Sequence, residues 1–231
     1  MDQTIEERIF AIGDIHGCHA QLVTLLNRVP VDKERDTIIF LGDYINRGPD
    51  SRKVLDTLVE IQQTYAHSVF LKGNHEQALL AYAETGDVDI VPFLRVMGVE
   101  STAASYGARV RNLQNLACFP PAHQAFLKNL QFCHIVGDFL FTHADITDEQ
   151  VLAAASGQPL TNPDRQLEAE LLSSRRLAEQ KNAIDGITII FGHSPFQFPL
   201  VLPDRICIDT GAVYGNVLTA VELPRKQFYH A

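Results

Sequence analysis

Over the first third of the chain, short apolar runs that end in glycine alternate with longer amphipathic stretches. The runs Arg8 to Ile12, Asp36 to Leu41 and Ser68 to Leu71 are apolar and β-branched with no polar alternation, the pattern of strands buried on both faces of a parallel sheet. Each is followed by apolar residues at helical spacing: His19 to Arg28 carries Leu22, Leu25 and Leu26 on one face, Ser51 to Gln63 carries Val54, Leu55, Leu58 and Ile61, and His75 to Tyr82 continues the rhythm. Repeated βα units gather ligands at the carboxyl ends of their strands, so the loops at 13–17, 42–50 and 72–76 are expected to lie side by side.

From about residue 84 to 130 the spacing predicts a helical insertion with a covering role: Ile90 to Met97, Val99 to Tyr106 and His123 to Leu130, separated by Gly and Pro turns. Strands then return at Phe132 to Val136, Phe139 to Thr142, Ile187 to Phe191, Arg205 to Ile208 and Val217 to Val221, with a polar helical stretch around Pro163 to Gln180. Runs of strands without regular helices between them imply a second, mixed sheet packed on the first. The expected fold class is therefore α/β, two packed mixed sheets flanked by helices, formed as a single domain over residues 1–231.

Composition narrows the function. A formal net charge of −9 and the lack of any basic stripe argue against a protein that wraps nucleic acid. The cysteines Cys18, Cys118, Cys133 and Cys207 form no CxxC pair, and the start MDQTIEERIF is charged where a secretory signal would be apolar, so reduced thiols and a cytoplasmic protein are expected. The longest apolar runs are too short to span a bilayer.

The chemistry lies in the loops. Gly13-Asp14-Ile15-His16-Gly17, Gly42-Asp43-Tyr44-Ile45-Asn46-Arg47-Gly48 and Gly73-Asn74-His75-Glu76 each offer oxygen or imidazole donors where a βα loop would present them. Phe141-Thr142-His143-Ala144 and Phe191-Gly192-His193-Ser194 each place a histidine directly after an apolar strand. Carboxylate, imidazole and amide donors without thiolate suit Mn²⁺, Fe or Zn²⁺ better than Ca²⁺ or a structural zinc, and point to catalytic cations. Lone histidines such as His19, His67, His123, His134 and His230 read as surface or packed residues, and Cys18 as a small buried thiol.

Together these five blocks resemble the signature of the calcineurin-like metallophosphoesterases, in particular the phosphoprotein phosphatase branch with its bacterial and phage members, over residues 8–221. The resemblance implies a four-layer sandwich and two divalent cations, Mn²⁺ foremost. Asp14, His16 and Asp43 would hold the first, and Asp43, bridging, would hold the second with Asn74, His143 and His193. Arg47 and Arg175 would grip phosphate oxygens, and His75 would protonate the leaving group. Arg175 follows from Leu171-Leu172-Ser173-Ser174-Arg175, which resembles a Leu-Leu-Trp-x-Arg segment with Ser173 in place of Trp; Arg176 is the alternative.

Two departures bear on activity. The family usually has Asp at Asn46, paired with the equivalent of His75, so a neutral amide should leave His75 harder to protonate. Asp145 stands where Gly is common and is either an exposed turn residue or extra negative charge near the second cation. The leading function is hydrolysis of phosphoserine or phosphothreonine, with a phosphorylated protein or small phosphate ester as substrate. A symmetrical dinucleoside tetraphosphate hydrolase is the alternative; that branch also lacks the acid at the Asn46 position, although it usually has Asp at Glu76. A phosphate-binding relative without turnover comes last.

Overall fold

The computed structural model describes residues 8–146, 163–175 and 186–231. Strands β1 (Ile9–Ile12), β2 (Thr37–Phe40) and β3 (His67–Phe70) pair in parallel, with helices α1 (His19–Arg28) and α2 (Ser51–Thr64) between them and α3 (Asn74–Thr85) after β3. The insertion follows as α4 (Val91–Val96), α5 (Val99–Ser105) and α6 (Pro121–Lys128), joined by 3₁₀ turns. The chain then forms β4 (Cys133–Val136), β5 (Phe139–Thr142), α7 (Arg165–Ser173), β6 (Thr188–Phe191), β7 (Leu200–Leu202), β8 (Arg205–Cys207), β9 (Thr219–Leu223) and β10 (Gln227–His230).

The sheets are ordered β10-β9-β1-β2-β3 and β4-β5-β6-β8-β7, and both are mixed. They meet through the inward faces of Ile9, Ala11, Ile39 and Leu41 on one side and Phe141, Ile190 and Ile206 on the other. The outer face of the first sheet is covered by the amphipathic helices. Val54, Leu55, Leu58 and Ile61 of α2 are buried there, and each contributes roughly 1.5–3 kcal/mol by leaving water. The outer face of the second sheet buries Leu140, Ile189 and Phe191 against Leu171 and Leu172 of α7. This is the expected sandwich of helices, two sheets and helix.

Three details differ from the sequence reading. The last apolar run does not join the second sheet: β9 lies antiparallel to β1, and β10, which was not expected, closes that edge. The short strand β7 was also missed, because Leu200–Leu202 is only part-buried and carries no alternation long enough to detect. The helix expected to run to Gln180 ends at Ser173 among the described residues, and residues 176–185 lie outside them. No described helix is long and apolar enough to cross a membrane.

Candidate metal centre

β1, β2, β3, β5, β6 and β8 all deliver their carboxyl ends to one edge of the sandwich, and the loops there are fastened to one another. The Asp43 carbonyl accepts the N–H groups of Ile15 (3.1 Å) and His16 (2.8 Å), and the His143 carbonyl accepts that of Gly192 (2.8 Å). The Asp14 carboxylate accepts the His193 N–H at 3.2 Å and so bridges the two sheets. Glycine is required where these loops touch. A Cβ on Gly73 would sit on the Asp43 carboxylate, and one on Gly192 on that of Asp14. His16, Asp43, Asn46, Arg47 and His193 all adopt positive φ, a strained backbone that the surrounding contacts over-determine.

Asp14, His16, Asp43, Asn46, His75, His143 and His193 are buried together at this edge. Asp43 is central. Its Oδ2 faces His16 Nε2 at 3.3 Å and its Oδ1 faces His143 Nε2 at 3.5 Å, so one carboxylate addresses two separate nitrogen groups. Asn74 Oδ1 completes the second group, 3.1 Å from His143 Nε2 and 3.0 Å from His193 Nδ1. The donor atoms of His16, Asp43 and His75, and those of Asp43, His143 and His193, each converge within 4.8 Å.

Tautomers are set from outside. His16 Nδ1 donates to the Ile45 carbonyl (3.0 Å) and His143 Nδ1 to the Leu41 carbonyl (2.8 Å), which leaves both Nε2 lone pairs aimed inward. Backbone carbonyls fix metal-ligating histidines in this way. Burial pushes the histidines down, His16 and His193 to about 3 and His143 to about 4, so they offer neutral nitrogens at pH 7. The donor set therefore fits two divalent cations sharing Asp43.

Arg47 is exposed, yet its Nη1 reaches His16 Nε2 at 2.9 Å. Arg175 is exposed just beyond α7, and its charge acts on His193 and Asp209 from the rim; Arg176 lies outside the described residues. Tyr214 is 63% exposed with the Arg47 guanidinium 5.4 Å from its ring centroid. Asp145 is neither an exposed turn nor free negative charge. It is 2% exposed and bonded to the buried Arg205 at 2.7 Å, because a carboxylate there is tolerable only with a cation beside it. Cys18 is half-buried, its thiol pushed up to about 11 by burial, which leaves little thiolate at neutral pH.

Sequence reasoning gave no role to two acidic residues. Glu76 is fully buried and accepts four backbone N–H groups, from Asp43 (2.9 Å), Tyr44 (2.9 Å), Ile45 (3.2 Å) and Gly73 (3.0 Å). It is the brace that holds the second loop against the third. Asp209, after β8, is buried beside Asp14 with its Oδ1 accepting the Gly211 N–H at 2.9 Å. Its place at the end of an apolar strand was the available signal.

Burial raises Asp14 well above the usual carboxylate range, with Asp209 and Asp43 adding to it, and burial lifts Asp43 to about 7. A carboxylate must lose its proton to hold a cation. Mn²⁺ affinity is thus expected to rise about tenfold per pH unit below 7 for each proton displaced, and to level off above. Calorimetry in buffers of different ionisation enthalpy would count those protons; flat affinity with no proton release would contradict the assignment of Asp43.

Known proteins resemble this chain along nearly its whole length. It is 28% identical to the asymmetrical bis(5'-nucleosyl)-tetraphosphatase PrpE of Oceanobacillus iheyensis over 96% of this chain and 90% of that one. The fold superposes on a candidate diadenosine tetraphosphatase with a TM-score of 0.67 at 25% identity, covering 99% and 94% of the two chains. It also superposes on a serine/threonine protein phosphatase of Saccharomyces cerevisiae with a TM-score of 0.61, covering 96% and 74%, where 15% identity shows the shared fold alone. Residues 7–216 match the calcineurin-like phosphoesterases, a family of phosphoester hydrolases that work with a dinuclear metal centre, and with its ligand loops converging on Asp43 the chain belongs to that family.

Proposed function

We propose that the chain hydrolyses a phosphoanhydride bond of a dinucleoside polyphosphate, with a nucleotide as leaving group. The observation that carries this reading is the contact of Asn46 with His75. Asn46 Nδ2 lies 2.9 Å from His75 Nδ1, while its Oδ1 accepts the Thr102 hydroxyl at 2.7 Å. With the amide in this orientation, Nδ1 of His75 is an acceptor and the ring proton sits on Nε2, which faces Asp43 Oδ2 at 3.8 Å. Burial, then repulsion from His16 and Arg47, pushes His75 far down as well, so the ring stays neutral.

A neutral imidazole is a weak proton donor. Such a donor suffices for a nucleotide phosphate, whose oxygen already carries charge well, and serves a serine or threonine alkoxide poorly. The curated relatives, named as tetraphosphatases, support the same substrate class. Bound cations would supply an acidified water and polarise the phosphoryl oxygens. Asp14, His16 and Asp43 would hold one cation, and Asp43, Asn74, His143 and His193 the other, with Mn²⁺ the best match to this donor set. Arg47 and Arg175 would hold the phosphate oxygens from the open side, and His75 Nε2 would hydrogen-bond the departing oxygen.

Hydrolysis of phosphoserine or phosphothreonine is a second reading, supported by the exposed ring of Tyr214 beside Arg47, which a polypeptide could cross. A panel with Mn²⁺ separates the two. Diadenosine tetraphosphate should be cleaved much faster than a phosphoserine peptide, and the products place the cut: two ADP for a symmetrical hydrolase, ATP and AMP for an asymmetrical one. Asn46→Asp should restore a carboxylate to His75, raise its pKa by about one unit and speed the phosphopeptide about tenfold, with a smaller gain on an aryl phosphate. Equal gains on both substrates would refute the assigned role of Asn46.

A further inference from the structure

A groove leads away from Asn74 that the phosphoryl chemistry leaves unused. It encloses about 380 Å3 between α3, the cover and α7, and among the described residues its lining includes Asn74, Gln77, Ala81, Ile90, Phe93 and Glu168. Asn74 is shared with the candidate metal centre, so a substrate reacting there has this groove directly beside it.

The lining is suited to a flat, uncharged, hydrogen-bonding group. Ala78 and Ala81 keep the face of α3 shallow, while Phe93 on α4 leaves 55% of its surface uncovered beside them. Ser173 also lines the groove with a small side chain. Among the described residues of the lining, the one charged side chain is the Glu168 carboxylate, which repels a second phosphate and accepts hydrogen bonds from hydroxyl or amino groups. Gln77 adds one amide donor and one acceptor. A volume near 380 Å3 falls within the range of small-ligand pockets, about 300–1,000 Å3.

We propose that this groove is the nucleoside subsite: the base stacks on Phe93 against Ile90 and the alanine face of α3, and Gln77 and Glu168 hydrogen-bond the base edge and ribose. The inference rests on the nucleotide reading above and adds to it the residues that choose the substrate. Phe93 makes no contact with the reacting phosphoryl group, so its effect should depend on whether the substrate carries a base.

Phe93→Ala is expected to raise KM for diadenosine tetraphosphate about tenfold, the loss of one base–aromatic stack, with kcat little changed. AMP binding measured by calorimetry should weaken by a similar factor, and Phe93→Tyr, which keeps the ring, should restore both. Hydrolysis of p-nitrophenyl phosphate, which has no base, should keep its kcat/KM. If wild type cleaves diadenosine tetraphosphate and Phe93→Ala leaves KM and AMP affinity unmoved, the groove assignment is wrong while the nucleotide reading survives. If wild type does not cleave it, both are overturned.

Discussion

Replacing Asp43 by asparagine is expected to lower kcat by about a thousandfold or more and to leave fewer than two Mn²⁺ bound per chain. The expectation follows from the way one carboxylate faces both nitrogen groups, with Oδ2 at 3.3 Å from His16 Nε2 and Oδ1 at 3.5 Å from His143 Nε2. An amide keeps the shape but presents one acceptor oxygen and one NH2, so it cannot neutralise or bridge two cations. Charge stabilisation by bound metal is worth several kcal/mol, and each 1.4 kcal/mol is about tenfold in rate. The folded chain should tolerate the change. Burial already pushes the Asp43 acid up to about 7, so a neutral amide removes an unfavourable charge when no cation is present. Melting of the metal-free variant should therefore occur at or above the wild-type temperature, while stabilisation by added Mn²⁺ shrinks. Two tightly bound ions and near-normal turnover in Asp43→Asn would dismiss the bridging role.

Glu76→Ala should produce the largest loss of stability of any substitution at this edge. The carboxylate is fully buried and satisfies the backbone N–H groups of Asp43, Tyr44, Ile45 and Gly73. Alanine strands those donors, and an unpaired buried donor costs about 1–3 kcal/mol. Because water will reach some of them, a total of about 3–5 kcal/mol is expected. At about 2–4 °C per kcal/mol for a chain of this size, melting should fall by roughly 10 °C. Metal affinity should drop with it, since the Asp43 and Gly73 turns lose their common anchor. Thermal denaturation within about 2 °C of wild type would show that the loops hold their shape without Glu76.

The fold and the convergence of the candidate residues were legible in the sequence for one reason. Strand ends in a parallel arrangement must present their loops together, so Asp14, Asp43, Asn74, His143 and His193 announced a shared site through their position after apolar runs. Partners from distant parts of the chain were not legible. Asp145 alone is a polar residue after a strand, and its pairing with Arg205 of the neighbouring β8 is not visible in the sequence. Glu76 lay inside a recognised block, but its bonds run to a loop about thirty residues earlier, which spacing along the chain does not encode. The antiparallel return of β9 beside β1, with β10 outside it, was hidden for the same kind of reason. An apolar strand is equally content in either sheet, and pairing at the free edge of β1 decides the matter.

The helical insertion does more than roof the site. Gly98, between α4 and α5, accepts the Arg47 N–H at 3.3 Å, and Thr102 of α5 holds both the backbone N–H and the side-chain oxygen of Asn46. The cover is thereby wired to the backbone of Arg47 and to Asn46, the residues proposed to meet the phosphate and to set the protonation of His75. Drift in the cover would retune turnover as well as substrate fit, so grafting this insertion onto a relative should move its pH–rate profile together with its selectivity.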